Sequence, residues 1–132
     1  MKIPKLTAVA LCAGLLAPVA ATAADVVFLS PADGATVSSP VKVRMGVHGM
    51  TVQPAGQVTP GTGHHHLIID GKAIPAGAVV PADAHHLHFG KGQTEAEVEL
   101  PPGRHTLTLQ FADGKHRSYG PDLSKTIEIE VK

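Results

Sequence analysis

The chain has 132 residues, and its 11 basic and 11 acidic residues cancel to a net charge of zero when the histidines are neutral. This length suits one domain, and an even charge without a basic cluster argues against a nucleic-acid partner. The single cysteine, Cys12, excludes an internal disulfide and a cluster of thiolate ligands.

The N-terminal segment has the features of a secretory signal peptide. Two lysines precede an apolar stretch that ends at the small residues ATA, 21–23. We therefore expect a signal peptide over residues 1–23 and a single periplasmic domain over residues 24–132. The apolar stretch is too short for a membrane span, so we expect no membrane insertion after cleavage. Cleavage removes Cys12, and the loss of Lys2 and Lys5 lowers the net charge from zero to −2.

The first half of this expected domain contains three predicted strands. Residues 25–29, DVVFL, form the first, and the Pro, Gly, Asp and Ser residues of SPADGATVSSP are typical of turns. Residues 41–47, VKVRMGV, alternate between apolar and polar side chains as a half-buried strand does. The loop QPAGQVTPGTG leads to a third strand, HLIID, at residues 66–70. The Pro- and Gly-containing segment 71–84 allows at most a short edge strand.

The second half contains three further predicted strands and no amphipathic helix. Residues 94–100, TEAEVEL, and residues 104–111, RHTLTLQF, alternate clearly and are joined by a Pro-Pro-Gly turn. Residues 125–131, KTIEIEV, form the last strand. Short strands between Pro- and Gly-rich turns predict an all-β fold, an Ig-like antiparallel β-sandwich of about seven short strands.

The segment GTGHHHLIID places three histidines at the start of a predicted strand. Because side chains alternate along a strand, His65 shares the inward face of Leu67 and Ile69. His64 and His66 then lie together on the opposite face. The segment therefore predicts one His-x-His pair that projects away from the core.

The segment DAHHLHFGKG repeats the arrangement. Leu87 and Phe89 share one face, so His86 and His88 project together from the other. Side chains two residues apart on a strand are separated by about 7 Å at the backbone, and such imidazoles can converge on one ion at bonds of about 2.0–2.1 Å. Two such pairs on adjacent strands would supply four nitrogen ligands.

Two further histidines are candidate ligands: His48, with outward parity on the strand 41–47, and His116, in the loop ADGKHRSYGPD. Asp113, in the same loop, is expected either to supply an oxygen ligand or to orient a ring, and ordinary turn chemistry is the alternative interpretation. The full set of predicted metal ligands is His64, His66, His86, His88, His116 and His48. Nitrogen donors without sulfur favour Cu(II), Zn²⁺ or Ni(II), and copper binds most tightly in that series. We therefore expect a copper or zinc ion.

The same histidines have a metal-free interpretation. Histidines can bond to one another, cap strands and satisfy loop carbonyls, so the two segments can instead form a polar belt between loops. His105 shares the inward parity of its predicted strand, and we expect it to be a buried, hydrogen-bonded structural histidine rather than a ligand.

Three segments resemble an uncharacterised family of small bacterial periplasmic domains: GTGHHHLIID, HFGKGQTEAEVELPPGRHTLTLQFAD and SKTIEIEV. That family carries a Gly-His-His-His segment and a His-Phe-Gly-Lys-Gly-Gln-Thr segment, and the resemblance extends from about Phe28 to Val131. It implies a periplasmic Ig-like domain. It implies no function, because the family is a domain of unknown function.

A weaker resemblance is to the small periplasmic copper-resistance sandwiches. SPADGATVSSPVKVRMGV looks like their opening strand and turn, and ADGKH looks like part of a late loop. That family binds Cu(II) through the N-terminal histidine of the mature chain. The expected first residue here is Ala24, so a copper site in this protein would have to use internal histidines.

Three classes of function compete on these observations. The first is a periplasmic metal-binding module, such as a copper or zinc carrier, buffer or resistance accessory. The second is a metal-free structural or protein-interaction module of the cell envelope, with another envelope protein as partner. An enzyme is the least favoured, since the sequence has no HExxH helix, no nucleophile elbow and no phosphate-binding loop. We therefore expect a metal ion as partner and no enzymatic activity.

Overall fold

The computed structural model describes residues 2–5, 10, 14 and 23–132. Most of the segment expected to be a signal peptide, including Cys12, lies outside the described residues. Within the described part, no helix has the length and apolar character needed to cross a membrane.

The described residues form nine strands and one 3₁₀ turn, Pro121–Leu123. The strands are β1 (Asp25–Ser30), β2 (Thr36–Val37), β3 (Val41–His48), β4 (Thr51–Val52), β5 (Thr62–Ile69), β6 (His86–His88), β7 (Glu95–Val98), β8 (Gly103–Ala112) and β9 (Ser124–Val131). The two shortest strands, β2 and β4, were not separated from turns in the sequence, because segments of two residues are too short to show a period.

The strands pack as a sandwich of two sheets, so the predicted all-β class is confirmed. One sheet has the order β1-β3-β7 and is antiparallel. The other has the order β2-β9-β8-β5-β4, and β6 also pairs with β5. The second sheet departs from the fully antiparallel expectation, because β2 lies parallel to β9 and β4 lies parallel to β5. Both are two-residue segments of connecting loops, which align beside a strand without a hairpin turn.

The apolar core lies between the two sheets. In β3, Val43 is fully buried and Met45 nearly so, whereas Lys42 and Arg44 are exposed, as the alternation predicted. Apolar residues of β5, β8 and β9 face them across the sandwich. Each large apolar side chain buried in this way contributes about 1.5–3 kcal/mol to folding.

A second buried layer lies on the outer face of the larger sheet. β5 is buried on both faces from Gly63 to Ile69. On β8, the buried Gln110 holds two covering loops: its Oε1 accepts the N–H of Ile74 at 2.9 Å, and its Nε2 donates to the carbonyl of Gly120 at 3.0 Å. These loops exclude water from the face on which the sequence placed His64 and His66.

Candidate metal centre

The three consecutive histidines of β5 divide between the two faces as predicted. His65 faces the core, where its ring meets Phe111 edge to face at 5.2 Å between centroids. His64 and His66 lie on the other face, with ring centroids 4.7 Å apart. All three are buried: two have no exposed surface and His66 retains 2%. Strand alternation alone therefore puts two imidazoles side by side in a water-poor layer.

The pairing of β6 with β5 adds the third imidazole. His88 is the direct cross-strand partner of His66, and their ring centroids are 5.1 Å apart. His88 itself is exposed. Gly90 makes room for its ring, since a Cβ at that position would lie 2.2 Å from Cε1 of His88. In the His-Phe-Gly sequence, the glycine therefore leaves the space that the histidine ring occupies.

His116 supplies the fourth imidazole from the turn that follows β8. Its φ of 64° is in the left-handed region, where histidine is tolerated more often than most side chains. Asp113 fixes the turn: Oδ1 accepts the N–H of Lys115 at 2.8 Å and of Arg117 at 3.0 Å, and Oδ2 accepts Nε of Arg117 at 2.8 Å. The His116 ring consequently lies 4.5 Å from that of His88, between centroids.

These four histidines form the four-histidine cluster: His64, His66, His88 and His116. One nitrogen from each ring lies within 4.8 Å of one nitrogen from every other. A tetrahedral ion with bonds of about 2.0–2.1 Å separates its ligand nitrogens by about 3.3 Å, and a square-planar ion by about 2.9 and 4.1 Å. The cluster is therefore close to a ligand shell already, and small rotations of the more exposed rings complete it.

The contacts at Nε2 of His64 do not form a satisfied hydrogen-bond network. This atom is 3.0 Å from Nε2 of His66 and 3.1 Å from Nδ1 of His116. A ring nitrogen carries either one proton or one lone pair in the ring plane, so it makes one good hydrogen bond. Nε2 of His66 and Nδ1 of His116 therefore compete for the single hydrogen-bonding position at Nε2 of His64. A cation at the shared point would instead accept all the lone pairs.

Burial favours the unprotonated form of three imidazoles of the cluster, those of His64, His66 and His88. Desolvation is the main cause that lowers the pKa of His64 to about 4 and that of His66 to about 3, and repulsion from neighbouring imidazoles adds to it. Desolvation, followed by His116, also lowers the pKa of His88. Since a metal binds the unprotonated imidazole, burial favours the ligand form of these three rings.

The other predicted ligands lie elsewhere. His86 is opposite Ile68 on β5, and its Nδ1 is 2.7 Å from Oδ1 of Asp83. His48 is on the smaller sheet, with Nδ1 2.8 Å from Oδ1 of Asp25 and a side chain that is 63% exposed. The structure thus brings one histidine of the second His-x-His pair to the cluster and leaves the other outside it.

Two further expectations concern residues that support the fold. Asp113 contributes no oxygen to the cluster and shapes the turn, in line with the turn-chemistry interpretation. His105 is a hydrogen-bonded structural histidine, as predicted: its Nδ1 is 2.8 Å from Oδ2 of Asp70 and its Nε2 is 2.8 Å from the carbonyl of Pro101. Its side chain is 11% exposed, so the residue is partly buried, and not fully buried as the sequence had predicted.

Two glycines of the site were not singled out in the sequence. Gly90 is described above, and Gly63 lets β5 approach β8, because a Cβ there would lie 2.3 Å from the carbonyl oxygen of Ala112. The sequence did contain a pattern that could have indicated them, because each glycine stands within two residues of a candidate ligand, in GHHH and HFG. Glycine at such positions often marks a close approach of backbone or side chain.

A family model described as a domain of unknown function, DUF4399, matches residues 43–132. The match includes all four histidines of the cluster. It starts later than the resemblance seen in the sequence, which began at about Phe28. No curated protein and no solved structure matches the chain. The likeness to copper-resistance sandwiches therefore stays a prediction.

Proposed function

The chain belongs to this family of unknown function, and we propose from the chemistry of its site that it is a periplasmic metal-binding protein that holds one copper or zinc ion. The four-histidine cluster is the binding site, and the ion is cargo to be carried or buffered. Periplasmic location is part of the proposal and rests on the leader-like sequence of residues 1–23.

The observation that carries the proposal is the environment of Nε2 of His64. This buried atom faces two other ring nitrogens at 3.0 and 3.1 Å. Hydrogen bonding can satisfy only one of those contacts, and a buried polar group without a partner costs about 1–3 kcal/mol. A metal-free role gives no reason for four imidazoles to converge on a single point of this face.

The ligand chemistry favours copper, with zinc as the second ion. Four imidazole nitrogens without sulfur suit both, and copper is the tightest divalent ion in the first-row series. Two of the rings are buried in β5, whereas His88 is exposed and His116 partly so. An ion held in this way can leave by exchange of the two accessible ligands, as a carrier or buffer requires.

The donor count supports binding rather than catalysis. Catalytic zinc sites generally keep three protein ligands and one position for water, whereas sites that hold zinc generally use four. The cluster offers four, and it is joined by no acidic side chain among the described residues. We therefore propose a binding protein and not an enzyme.

A competition titration tests the proposal. Tag-free residues 24–132 are titrated with Cu(II) and with Zn²⁺ against a chromophoric chelator, beside His88→Ala and, as matched control on the same strand, His86→Ala. We expect one ion per chain, an affinity loss of at least about tenfold for His88→Ala and little change for His86→Ala. Equal affinities in all three proteins would favour the metal-free envelope module instead.

A further inference from the structure

The four-histidine cluster opens into a cleft whose other wall is apolar. The cleft has a volume of about 350 Å³ and is lined by three imidazoles (His66, His88 and His116) and by the segment 79–82. This volume is within the range of about 300–1,000 Å³ that small-molecule sites occupy. An ion in the cluster would therefore have one side turned to a small, partly apolar space.

The apolar wall is fixed to the loop that carries His116. The N–H of Val80 donates to the carbonyl of His116 at 2.8 Å. The backbone of Ser118 pairs in both directions with the two residues that precede this segment, accepting from Gly77 and donating to Ala78, each at 2.8 Å. The wall and the fourth ligand are thus one unit, and the distance between them is set by backbone hydrogen bonds rather than by side-chain packing.

The charge of the site is not balanced by the protein. Neutral imidazoles leave a divalent ion with its full charge of about +2, which is costly in a partly dehydrated site without an anion. None of the described residues that line the cleft is acidic. The charge of Asp113 is felt at His64 from a distance, but both its oxygens are occupied and it is paired with Arg117. A compensating anion would have to come from outside the chain.

On the premise of the proposed metal function, we infer that the cleft binds a small monocarboxylate with a short alkyl chain, which completes the coordination of Cu(II). The carboxylate supplies the missing negative charge, and the alkyl chain lies along Val79 to Ala82. Cu(II) accepts tetragonal nitrogen and oxygen ligands beyond four, whereas a holding site for Zn²⁺ is closed at four. The anion is therefore a co-ligand of the copper form.

The experiment uses residues 24–132 loaded with one equivalent of Cu(II) in buffer without coordinating anions. Azide is the reporter, since its binding to Cu(II) adds a charge-transfer band. Acetate and butyrate then compete with it. We expect both to displace azide, with butyrate about 15-fold tighter because its two added methylene groups are buried against the wall.

A matched pair of variants tests whether the carboxylate binds in this cleft. Ala82→Glu places a carboxylate at the apolar wall, and Ala84→Glu adds the same charge at an exposed position outside the lining. We expect Ala82→Glu to weaken azide and butyrate binding at least about tenfold, with Cu(II) still bound, and Ala84→Glu to behave as the unmodified protein.

The possible results distinguish the co-ligand inference from the proposed metal function. Cu(II) binding with no azide band would overturn the co-ligand inference and leave the metal function standing. If azide binds but acetate and butyrate compete with it equally, the alkyl chain does not lie in the cleft. The same conclusion follows if the two variants have equal effects. Failure to bind Cu(II) while Zn²⁺ is still bound would overturn this inference alone, and failure to bind either ion would overturn the proposed function as well.

Discussion

His66 on β5 and His88 on β6 are direct partners across an antiparallel strand pair, and their rings lie 5.1 Å apart between centroids. This one register contact joins the two histidine-rich segments of the sequence. A shift of one residue would turn the histidine of either strand to the other face. The geometry of the cluster is therefore tied to the same hydrogen-bonded ladder that forms the sheet.

Metal addition should stabilise the protein against heat. An ion present at 100 times its dissociation constant contributes about 2.7 kcal/mol to folding, which corresponds to a rise in Tm of about 10 °C for a domain of this size. Calorimetry with and without Cu(II) or Zn²⁺ measures the shift. The His88→Ala variant, changed at an exposed position, should fold normally and lose most of this rise in Tm. If metal addition left the Tm of the unmodified protein unchanged, the folded protein would have no metal site.

Gly90→Ala should weaken metal binding without unfolding the domain. The new methyl group occupies the space of the His88 ring, and the ring has to swing toward solvent. We expect an affinity loss of about tenfold or more, measured by chelator competition. Gly46→Ala is the control, because the atoms nearest its methyl group belong to the side chains of Val27 and Leu29 on β1, in the smaller sheet and away from the cluster. An affinity loss of the same size in both variants would mean that His88 is not the residue affected.

Asp113→Ala should act on the site through His116. Loss of the carboxylate removes its bonds to Lys115 and Arg117, and the turn no longer holds His116 at its positive φ. Metal affinity should fall by about 10–100-fold, as for other residues that orient a ligand. Asp83→Ala removes the carboxylate that holds His86 and should leave the affinity within about twofold. The reverse order of the two effects would assign the site to His86.

The metal-free protein should lose stability in mild acid, with His65 as one cause. Burial lowers the pKa of His65 to about 4. Between about pH 6.5 and 4 the unfolded chain therefore binds a proton that the folded chain does not, so stability falls as the pH falls through this window. The lowered pKa values of His64 and His66 act in the same direction.

His65→Leu isolates the contribution of that residue. Neither ring nitrogen of His65 has a hydrogen-bond partner in the described structure, so an apolar side chain of similar size should raise the free energy of unfolding at pH 7.5 by about 1–3 kcal/mol. The loss between pH 6.5 and 5 should also become shallower. Urea unfolding at pH 7.5, 6 and 5 measures both effects, and an unaltered pH dependence would contradict the assigned role. Metal affinity should not change, because the residue faces the core.

The fold class followed from patterns that the backbone imposes. Strict alternation in β3, β7 and β9 predicted which side chains face the core, because a strand projects successive side chains to opposite faces. The short strands β2 and β4 did not follow in the same way. They form where connecting loops happen to lie beside β9 and β5, and two residues carry no periodic signal.

Three of the four histidines of the cluster followed from local sequence. Parity placed His64 and His66 together, and it placed His88 on a face that could meet them. Parity could not show that His86, two residues earlier, would pair with Asp83 instead. The contribution of His116 depends on a turn conformation and on contacts far apart in the chain, which one sequence does not display.

Elemental analysis of protein exported with its own N-terminal segment, and purified without a histidine tag, tests whether the four-histidine cluster holds an ion. We predict one copper or zinc ion per chain and loss of the ion when His64 and His66 are both replaced by alanine, with His86→Ala unaffected. Protein that carries no ion and takes up none when Cu(II) or Zn²⁺ is added would contradict this prediction, as would full metal content in the His64→Ala, His66→Ala variant.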